Sequence, residues 1–436
     1  MTRTVVIGAG INGLLTAWYL RTEGHEVTVL EEQAGPGLGA SHANGAQLSY
    51  SYVAPLAGPG VVPKIPPWLL RHDAPLRLRP RLDWHQWRWM LQFLSACNRR
   101  QSEDTTRKLL RLAYYSRDLM KQFLATQTGR GLEFSHRVNG KLVIYSSAGS
   151  FAAGRRLVDF QRALGSEQEV LGPDACMVLE PALARSAAGL GRRIVGAVFT
   201  PSEEVGDCYA FCAGLEKALR GMGVGFRYGF RVRSLEKRGS GGRLEVACAS
   251  DGTDDVEADR FVLASGVASA RLASPLGIRL PIYPLKGYSI SIQARDDLPT
   301  LSVTDFDRKV VYAHLCARDA GASPVVRVAG LADLTGHDAS IDAGRLKVLL
   351  AEVAKAFPAA ASNGLLDVRN IRPWAGLRPA TPRGTPLIGA TRVRNLYLNT
   401  GHGGLGWTLA HASARLVTDV IVGRQPELPV GPFQTQ

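Results

Sequence analysis

The chain has 436 residues, 45% of them hydrophobic and 21% charged, which excludes an intrinsically disordered protein and allows two domains with well-filled cores. Its net charge of +14 suits an anionic cofactor and substrate, an anionic membrane surface or nucleic acid. Because the arginines are spread along the chain and do not form one run, nucleic acid is the least favoured of these partners.

Cysteine usage and hydropathy indicate a cytoplasmic protein. The six cysteines are scattered, and only Cys208 and Cys212 lie close together, one helical turn apart. They have no histidine or further cysteine beside them, so we expect reduced thiols and no metal site. No stretch reaches about 18 uninterrupted apolar residues, so the sequence predicts no transmembrane helix.

The first 31 residues predict a strand, a tight turn, a helix and a second strand. Gly8 permits the sharp turn, Gly10 lets the backbone approach a pyrophosphate, and Gly13 lets the helix pack close to the strand. Glu31, about twenty residues further on, is placed to accept the hydroxyls of an adenosine ribose and disfavours a 2′-phosphate. The unit therefore predicts FAD or NAD rather than NADP; a ligand-free glycine loop or a secretory signal fits its regular spacing poorly.

The next segments predict a ligand-wrapping loop and then a helical insertion. Residues 35–47 are rich in glycine and small residues, and five prolines in residues 55–67 indicate an extended excursion. Residues 84–124 have apolar side chains at helical spacing with basic residues between them. Because Trp68, Trp84, Trp87 and Trp89 lie nearby, an interfacial membrane helix is an alternative to a plain core stripe, which is favoured.

The second half returns to the pattern of a nucleotide-binding domain. A helix is predicted over residues 209–222, alternating strands follow, and a buried strand ends at Gly266. A further helix is predicted over residues 343–357, and near the C-terminus a strand at residues 396–400 meets a second glycine-rich loop and a helix. Two glycine-rich helix N-termini fit one extended cofactor, with the second facing a flavin ring, so the sequence favours FAD.

Five motifs together give the chain a resemblance that covers nearly its whole length. It resembles the small-subunit type of bacterial FAD-dependent D-amino acid dehydrogenase, within the D-amino acid oxidase family. The motifs are SHANGAQ at residues 41–47, EVGDC at 204–208, YPLKGYS at 283–289, GLRPATP at 376–382 and LNTGHGGLGWT at 398–408. The chain departs from the family pattern at His42, at Gly45-Ala46 and at Tyr50-Ser51, near the expected flavin and substrate edge, which puts the substrate range in doubt.

The resemblance implies an α/β fold with a Rossmann-like FAD-binding domain and a second α+β substrate domain of mixed sheet and helices. We expect the discontinuous FAD-binding domain to comprise residues 1–54, 185–275 and 370–436, and the substrate domain to comprise residues 55–184 and 276–369. The residues expected to bind FAD are Gly8, Gly10, Gly13, Glu31, Ser41, Asn44, Gly45, Gln47, Val232, Gly266, Gly401, His402, Gly403, Gly404, Leu405 and Gly406.

The same resemblance places Arg378 on the substrate carboxylate, which a guanidinium binds through two parallel hydrogen bonds. An ordinary ion pair is the alternative role for Arg378. Tyr52 and Tyr288 are expected to close the pocket with their hydroxyls, and roles as core tyrosines are the alternative. Since hydride transfer from a neutral amine needs no protein base, none is assigned, and His402 is expected to contact the cofactor or pack.

The predicted reaction is oxidative deamination of a D-amino acid to a 2-oxo acid and ammonia, with electrons leaving to a quinone or another respiratory acceptor. A glycine, sarcosine or imino-acid oxidase that uses oxygen is the alternative within the family. A tRNA-modifying flavoprotein and a non-catalytic flavin-binding partner subunit are alternatives of other classes. We expect a cytoplasmic protein with peripheral contact to the inner membrane, and a homo- or hetero-oligomer is compatible with the sequence.

Overall fold

A computed structural model describes residues 1–65, 71, 74–190, 194–240, 243–316 and 323–434. Trp68, one of the grouped tryptophans, lies outside these residues. The helices are α1 (Ile11–Thr22), α2 (Trp84–Ala96), α3 (Arg99–Ala125), α4 (Gln127–Arg130), α5 (Ala148–Arg162), α6 (Pro173–Leu179), α7 (Pro181–Leu190), α8 (Cys208–Gly221), α9 (Ala268–Ala273), α10 (Ala343–Ala356), α11 (Pro358–Ser362) and α12 (Ala410–Val422).

The strands alternate with these helices in the N-terminal and C-terminal parts and follow one another in the middle of the chain. They are β1 (Arg3–Ile7), β2 (Glu26–Glu31), β3 (Gln47–Leu48), β4 (Leu76–Leu78), β5 (Arg137–Val138), β6 (Lys141–Tyr145), β7 (Glu169–Leu171), β8 (Gly196–Thr200), β9 (Glu204–Val205), β10 (Gly225–Tyr228), β11 (Ser234–Ser240), β12 (Arg243–Ser250), β13 (Asp255–Glu257), β14 (Arg260–Leu263), β15 (Tyr283–Gln293), β16 (Ser302–Asp305), β17 (Val310–Leu315), β18 (Val325–Leu334), β19 (Arg372–Ala380), β20 (Leu387–Ala390) and β21 (Leu396–Thr400).

A six-stranded sheet of order β10-β2-β1-β14-β21-β20 is parallel except for β20. Val6 packs into the core beneath α1, α8 and α12, whereas its neighbours Val5 and Ile7 pack into the core on the opposite face. Both faces are therefore covered, as parallel sheets require. The chain turns at the carboxyl ends of β1, β14 and β21, which lie at one edge, so the two glycine-rich loops meet there.

A nine-stranded sheet forms the second layer, with the order β19-β15-β18-β17-β16-β6-β8-β7 and β4 paired to β18. One face carries Ile290, Val328, Val303 and Leu142 into an apolar core shared with α10. The other face receives the loop of residues 41–47. Because side chains alternate along a strand, successive residues of the central strands face alternately that core and the side of the loop.

Two smaller three-stranded sheets complete the fold, with the orders β11-β12-β13 and β3-β9-β5. The expected Rossmann-like α/β domain and mixed-sheet domain are both present. However, β8 and β19 belong to the nine-stranded sheet although their residues fall inside the predicted FAD-domain segments. By their pairing, these two strands belong with the sheet of the expected substrate domain. The exact division of the chain into domains stays a prediction.

Candidate cofactor and substrate site

The N-terminus of α1 is shaped for an anion. Gly8 has a φ of +111°, and a Cβ on it would lie 2.6 Å from the carbonyl oxygen of Ala264. A Cβ on Gly13 would overlap the carbonyl oxygen of Gly8, so only glycine lets the helix pack this close. A Cβ on Gly10, by contrast, would meet nothing nearer than Ser41 Oγ at 3.5 Å. The side of the turn at Gly10 is therefore open, as a bound pyrophosphate requires.

This helix end also leaves N–H groups for a ligand. The cap residue, Gly10, has no side chain that could accept from them, and the first turn of α1 has no acidic residue. Ser41 Oγ accepts from the amide of Ile11 at 3.2 Å, which brings the second predicted cofactor segment to the helix end. The free N–H groups and the helix dipole therefore remain available to phosphate oxygens.

Glu31 ends β2 beside the glycine turn. Its carboxylate accepts from the backbone N–H of Ala9 at 2.6 Å and of Gln33 at 2.9 Å. Burial raises the pKa of Glu31, and these two hydrogen bonds oppose that shift. A carboxylate has about four acceptor positions, so two remain for the hydroxyls of a ribose.

The loop of residues 41–47 is held by its own side chains. Asn44 Oδ1 accepts from the amide of Ala46 at 2.9 Å, closing a turn in which Ala46 has a φ of +57°. A Cβ on Gly45 would approach Val311 Cγ2 to 3.2 Å, so the loop lies close against the sheet. Gln47 Nε2 donates to the carbonyl of Tyr312 at 3.0 Å. The side chains of Asn44 and Gln47 are thus engaged within the protein, so contact of these two residues with the cofactor stays a prediction.

The second glycine-rich loop differs from the expected strand-loop-helix unit. Gly403–Leu405 form a 3-10 turn, and α12 begins only at Ala410. Gly401 and Gly403 have φ values of +77° and +56°, which allow the sharp reversal after β21. The loop nevertheless reaches the first glycine turn, because a Cβ on Gly406 would lie 3.5 Å from Asn12 Nδ2.

Two buried groups in this region bear on cofactor binding. Asn12 Oδ1 is buried and has no hydrogen-bond partner among the described residues. His402 Nε2 lies 3.0 Å from Ser413 Oγ, and burial lowers the pKa of His402 to about 3, so the ring is neutral. The unsatisfied amide oxygen, the open side of Gly10 and the uncapped helix end together fit a bound dinucleotide at this edge.

Val232 and Gly266 lie at two further points of this domain. Gly266 has a φ of +56° just beyond β14, and its carbonyl accepts from Thr400 Oγ1 at 3.1 Å. Val232 is buried between β10 and β11, and its carbonyl accepts from Arg271 Nη2 at 3.1 Å. Gly266 therefore shares the edge with the glycine loops, while cofactor contact by Val232 stays a prediction.

Arg378 lies on β19, partly buried, on the face of the nine-stranded sheet that receives the loop of residues 41–47. A Cβ on Gly287 of the neighbouring strand would lie 2.5 Å from Arg378 Cζ, so glycine leaves the room that the guanidinium fills. A Cβ on Gly404 would lie 4.0 Å from Arg378 Cδ, which places the arginine beside the second glycine-rich loop. Within the described part of the chain, no carboxylate or carbonyl pairs with this guanidinium.

Tyr288 lies on the opposite face of β15 from Gly287 and Arg378. Its hydroxyl donates to Asp333 at 2.8 Å, within a buried network that includes Arg77 and Arg345. Burial raises the pKa of Tyr288. The sequence motif indicated this tyrosine as a pocket hydroxyl, but strand alternation turns it into the core.

Tyr52 also lies apart from Arg378. Its ring is beneath the ammonium of Lys141, 4.2 Å from the ring centre to Nζ, and burial raises its pKa. Lys141 belongs to β6, five strand spacings or about 24 Å along the sheet from β19. The structure therefore brings neither tyrosine to the guanidinium.

Sequence reasoning missed the residues that connect the two sheets. Ser289 Oγ donates to the carbonyl of Ala43 at 2.6 Å, and Arg327 Nη1 donates to that of Asn44 at 3.2 Å. Lys141 Nζ donates to Gln47 Oε1 and Ser49 Oγ, both at 2.8 Å. No motif indicated these contacts, but the alternation of Gly287, Ser289 and Ser291 along β15 could have shown a polar face.

Comparison with known proteins finds relatives over nearly the whole chain. A model of the FAD dependent oxidoreductase family, DAO, matches residues 3–420. The chain is 46% identical over 437 residues to D-amino acid dehydrogenase 2 of Ralstonia nicotianae, covering 98% of each chain. It is 44% identical to D-amino acid dehydrogenase 2 of Pseudomonas aeruginosa, covering 98% of this chain and 96% of that one. Glycine oxidase from Geobacillus kaustophilus has the same fold, with a TM-score of 0.76, 20% identity and coverage of 100% and 99%.

The described residues contain no group of metal-ligating side chains that could hold a metal ion, and none of their helices has the length and apolar character of a membrane span.

Proposed function

Since the chain belongs to the DAO family of FAD-dependent oxidoreductases, we propose that it oxidises D-amino acids to 2-oxo acids and ammonia. Two curated relatives at 46% and 44% identity are named D-amino acid dehydrogenase 2. The observation that carries this proposal is Arg378, an unpaired guanidinium between the second glycine-rich loop and a glycine of β15. A cation without a partner in a partly buried position fits an anionic substrate group that supplies the missing charge.

Arg378 would hold the substrate carboxylate through two parallel hydrogen bonds. Burial lowers the pKa of Arg378, but a guanidinium stays protonated in proteins, so the site keeps its positive charge. Its position beside Gly404 sets the α-carbon next to the second glycine-rich loop. The contact between Arg378 and the carboxylate thereby orients the C–H bond of the α-carbon, which is the bond that breaks.

The bound FAD supplies the acceptor for the hydride that leaves the α-carbon. The residues described here hold no base beside Arg378, and His402, the closest histidine in sequence to Gly404, is buried and neutral. Substrate therefore enters with its amine deprotonated or loses that proton to water. The imino acid that forms then takes up water outside the protein, releasing ammonia and the 2-oxo acid.

The electron acceptor is proposed to be a quinone or another respiratory carrier. Supporting this, α2 exposes an apolar stripe at helical spacing, the α2 stripe, made of Trp84, Trp87, Leu91 and Leu94. Trp84 is 76% exposed and Leu91 is 63% exposed, values that a monomer in water rarely leaves on one helix face. We propose that this face lies in the headgroup region of an anionic membrane.

The opposite side of α2 reaches the cofactor loop. Trp89 Nε1 donates to the carbonyl of Ala380 at 2.8 Å, and Ala380 forms a β-bridge with His402. The α2 stripe is thus separated from the second glycine-rich loop by little more than one helix diameter, about 10 Å. The exposed Arg88 lies four residues after Trp84 and three before Leu91, so it borders the stripe and complements acidic lipids.

The alternative functions receive no comparable support. The curated relatives at 37–46% identity are named D-amino acid dehydrogenases, and the likeness to glycine oxidase is a likeness of fold. Nothing indicates a surface for tRNA beyond the net charge of +14. A homo- or hetero-oligomer stays a prediction from sequence.

Steady-state oxidation tests the proposal. D-alanine, L-alanine, glycine, sarcosine and D-proline are compared with a soluble ubiquinone analogue and with oxygen as acceptors, while 2-oxo acid and ammonia are measured. We expect equal amounts of the two products from the D-amino acid, and faster turnover with the quinone. Turnover mainly on glycine or sarcosine with oxygen would replace the proposal by the oxidase alternative.

A further inference from the structure

We infer that Trp374 selects the side chain of the substrate, and that the site prefers D-amino acids with apolar side chains. This inference rests on the proposed function, because it takes Arg378 as the group that binds the substrate carboxylate. Trp374 lies on β19, four residues before Arg378 and on the same face of the strand.

The two side chains converge on a floor that lacks Cβ atoms. Gly287 and Gly376 are directly opposite each other on β15 and β19. The Arg378 guanidinium occupies the space above Gly287, and a Cβ on Gly376 would overlap the six-membered ring of Trp374. The two side chains thus fill the depression that the paired glycines leave, with the cation over β15 and the indole ring over β19.

Both cofactor loops border this depression. Gly404 lies at the Arg378 end. At the other end Trp374 is directly opposite Ser289, whose hydroxyl donates to the carbonyl of Ala43 in the loop of residues 41–47. A molecule lying on the floor would therefore be held between the two segments that are expected to bind the flavin.

Trp374 has the character of a ligand-facing residue. It is only partly buried, and it joins none of the apolar clusters that the described residues form. Its indole N–H has no hydrogen-bond partner in the described chain. A large aromatic side chain that packs on a bare glycine instead of a core leaves its remaining surface for another molecule.

The direction of the floor assigns the groups of the substrate. The Cα atoms of Trp374 and Arg378 are about 13 Å apart along the strand. Trp374 leans over Gly376, and Arg378 leans over Gly287, which is directly opposite Gly376. An amino acid with its carboxylate on Arg378 therefore reaches the ring with its side chain. The neighbouring Lys286 and Tyr288 face the opposite side of β15, where Lys286 Nζ donates to Asp338 at 3.0 Å. The exposed Arg372 lies beyond the ring, so a substrate side chain that extends from Arg378 reaches the indole ring before it reaches Arg372.

Two variants and one control test this inference in the FAD-loaded enzyme with a soluble dye as acceptor. The kcat/KM values for D-phenylalanine, D-leucine, D-alanine and D-glutamate are measured for Trp374→Ala and Trp374→Phe. We expect Trp374→Ala to lose on the order of tenfold on D-phenylalanine relative to D-alanine, mostly through KM. Trp374→Phe should retain most of the preference, and Val368→Ala, at an exposed position with no assigned role, should leave all values unchanged.

Binding of two carboxylates without an amine gives a second readout that does not depend on turnover. Calorimetry compares 3-phenylpropionate with propionate, which carry the carbon skeletons of phenylalanine and alanine. Trp374→Ala should weaken 3-phenylpropionate selectively, whereas Arg378→Met should weaken both. If Trp374→Ala lowers kcat/KM equally for all substrates and weakens both carboxylates equally, the role of Trp374 is overturned. A preference of the unchanged enzyme for D-glutamate would overturn it as well. If no D-amino acid is oxidised but the selective binding persists, the proposed reaction fails and the apolar subsite stands.

Discussion

Arg378 is the residue on which the proposed chemistry depends. It is a cation with no partner in the described chain, and a glycine on the next strand makes the space for it. Leaving a partly buried charge unpaired destabilises a fold unless a ligand pairs with it. The sequence predicted Arg378 and Tyr288 for one pocket, with a core role for Tyr288 as the alternative, because a motif does not show to which face of a strand each side chain turns.

Replacing Arg378 by lysine should separate binding of FAD from binding of substrate. The variant keeps the charge but loses the planar pair of donors, so kcat/KM on the best D-amino acid should fall by about 2–4 kcal/mol in transition-state stabilisation. Retained FAD absorbance shows that the fold is intact. Arg372→Lys on the same strand is the matched control, since Arg372 is exposed. Near-normal turnover of Arg378→Lys would remove Arg378 from the substrate site.

His402 makes a prediction about pH. Burial lowers its folded-state pKa to about 3, below the value of about 6.5 in an unfolded chain. Between these values the unfolded chain binds more protons, so stability is lost as pH falls through this window, by up to about 1.4 kcal/mol per pH unit. His402→Asn should therefore show a smaller fall in Tm than the unchanged protein between pH 7 and pH 5.

Val178, which is exposed and carries no titratable group, supplies the control for that comparison. Val178→Asn should follow the pH dependence of the unchanged protein. The same fall in Tm for His402→Asn and the unchanged protein would show that His402 does not contribute.

At the scale of elements, regular segments were predictable and their junctions were not. The strand at residues 396–400 and the helix from residue 343 have the predicted bounds to within one residue. The alternating strands expected after the helix of residues 209–222 begin with β10 and β11, but these two strands belong to different sheets. The glycine-rich loop after β21 forms a 3-10 turn, because glycines with positive φ interrupt the helix that periodicity extends into them.

Gly10 tests the first glycine turn as an element. Its φ of −73° suits any residue, and a Cβ there meets only Ser41 Oγ at 3.5 Å. Gly10→Ala should therefore fold normally without cofactor, as judged by circular dichroism, but lose FAD on gel filtration, because the Cβ occupies the space of the pyrophosphate. Gly221→Ala, whose Cβ meets no atom within 4 Å, is the control. Full retention of FAD by Gly10→Ala would place the pyrophosphate elsewhere.

For the whole molecule, the sequence predicted two domains and their sheet types but not how they join. The strand β19 carries Arg378 in the nine-stranded sheet, although it lies in a segment predicted for the FAD domain. Ser289, Arg327 and Lys141 then connect this sheet to the loop of residues 41–47. These pairings link residues 94 to 283 positions apart, and local periodicity carries no information about them.

The α2 stripe predicts how the whole molecule meets a membrane. Replacing Trp84, Trp87 and Leu91 by serine should reduce co-sedimentation with vesicles of acidic lipid roughly tenfold or more, since three apolar side chains lose their burial. High salt should weaken binding of the unchanged protein, because part of the attraction is electrostatic. Val178→Ser with Leu179→Ser, exposed apolar residues elsewhere, should have no effect. Equal sedimentation with neutral and acidic lipid, in both proteins, would contradict a membrane role for α2.

Anaerobic reduction of the bound FAD by matched enantiomers tests the central claim most directly, because it observes the hydride step without any electron acceptor. D-alanine and L-alanine, then D-phenylalanine and L-phenylalanine, are mixed with the purified protein while the flavin absorbance is followed. We expect rapid bleaching with each D-amino acid, none with its L-enantiomer, and loss of the rapid phase in Arg378→Lys. Bleaching by the L-enantiomers, or by neither enantiomer while sarcosine bleaches the flavin, would contradict D-amino acid oxidation at this site.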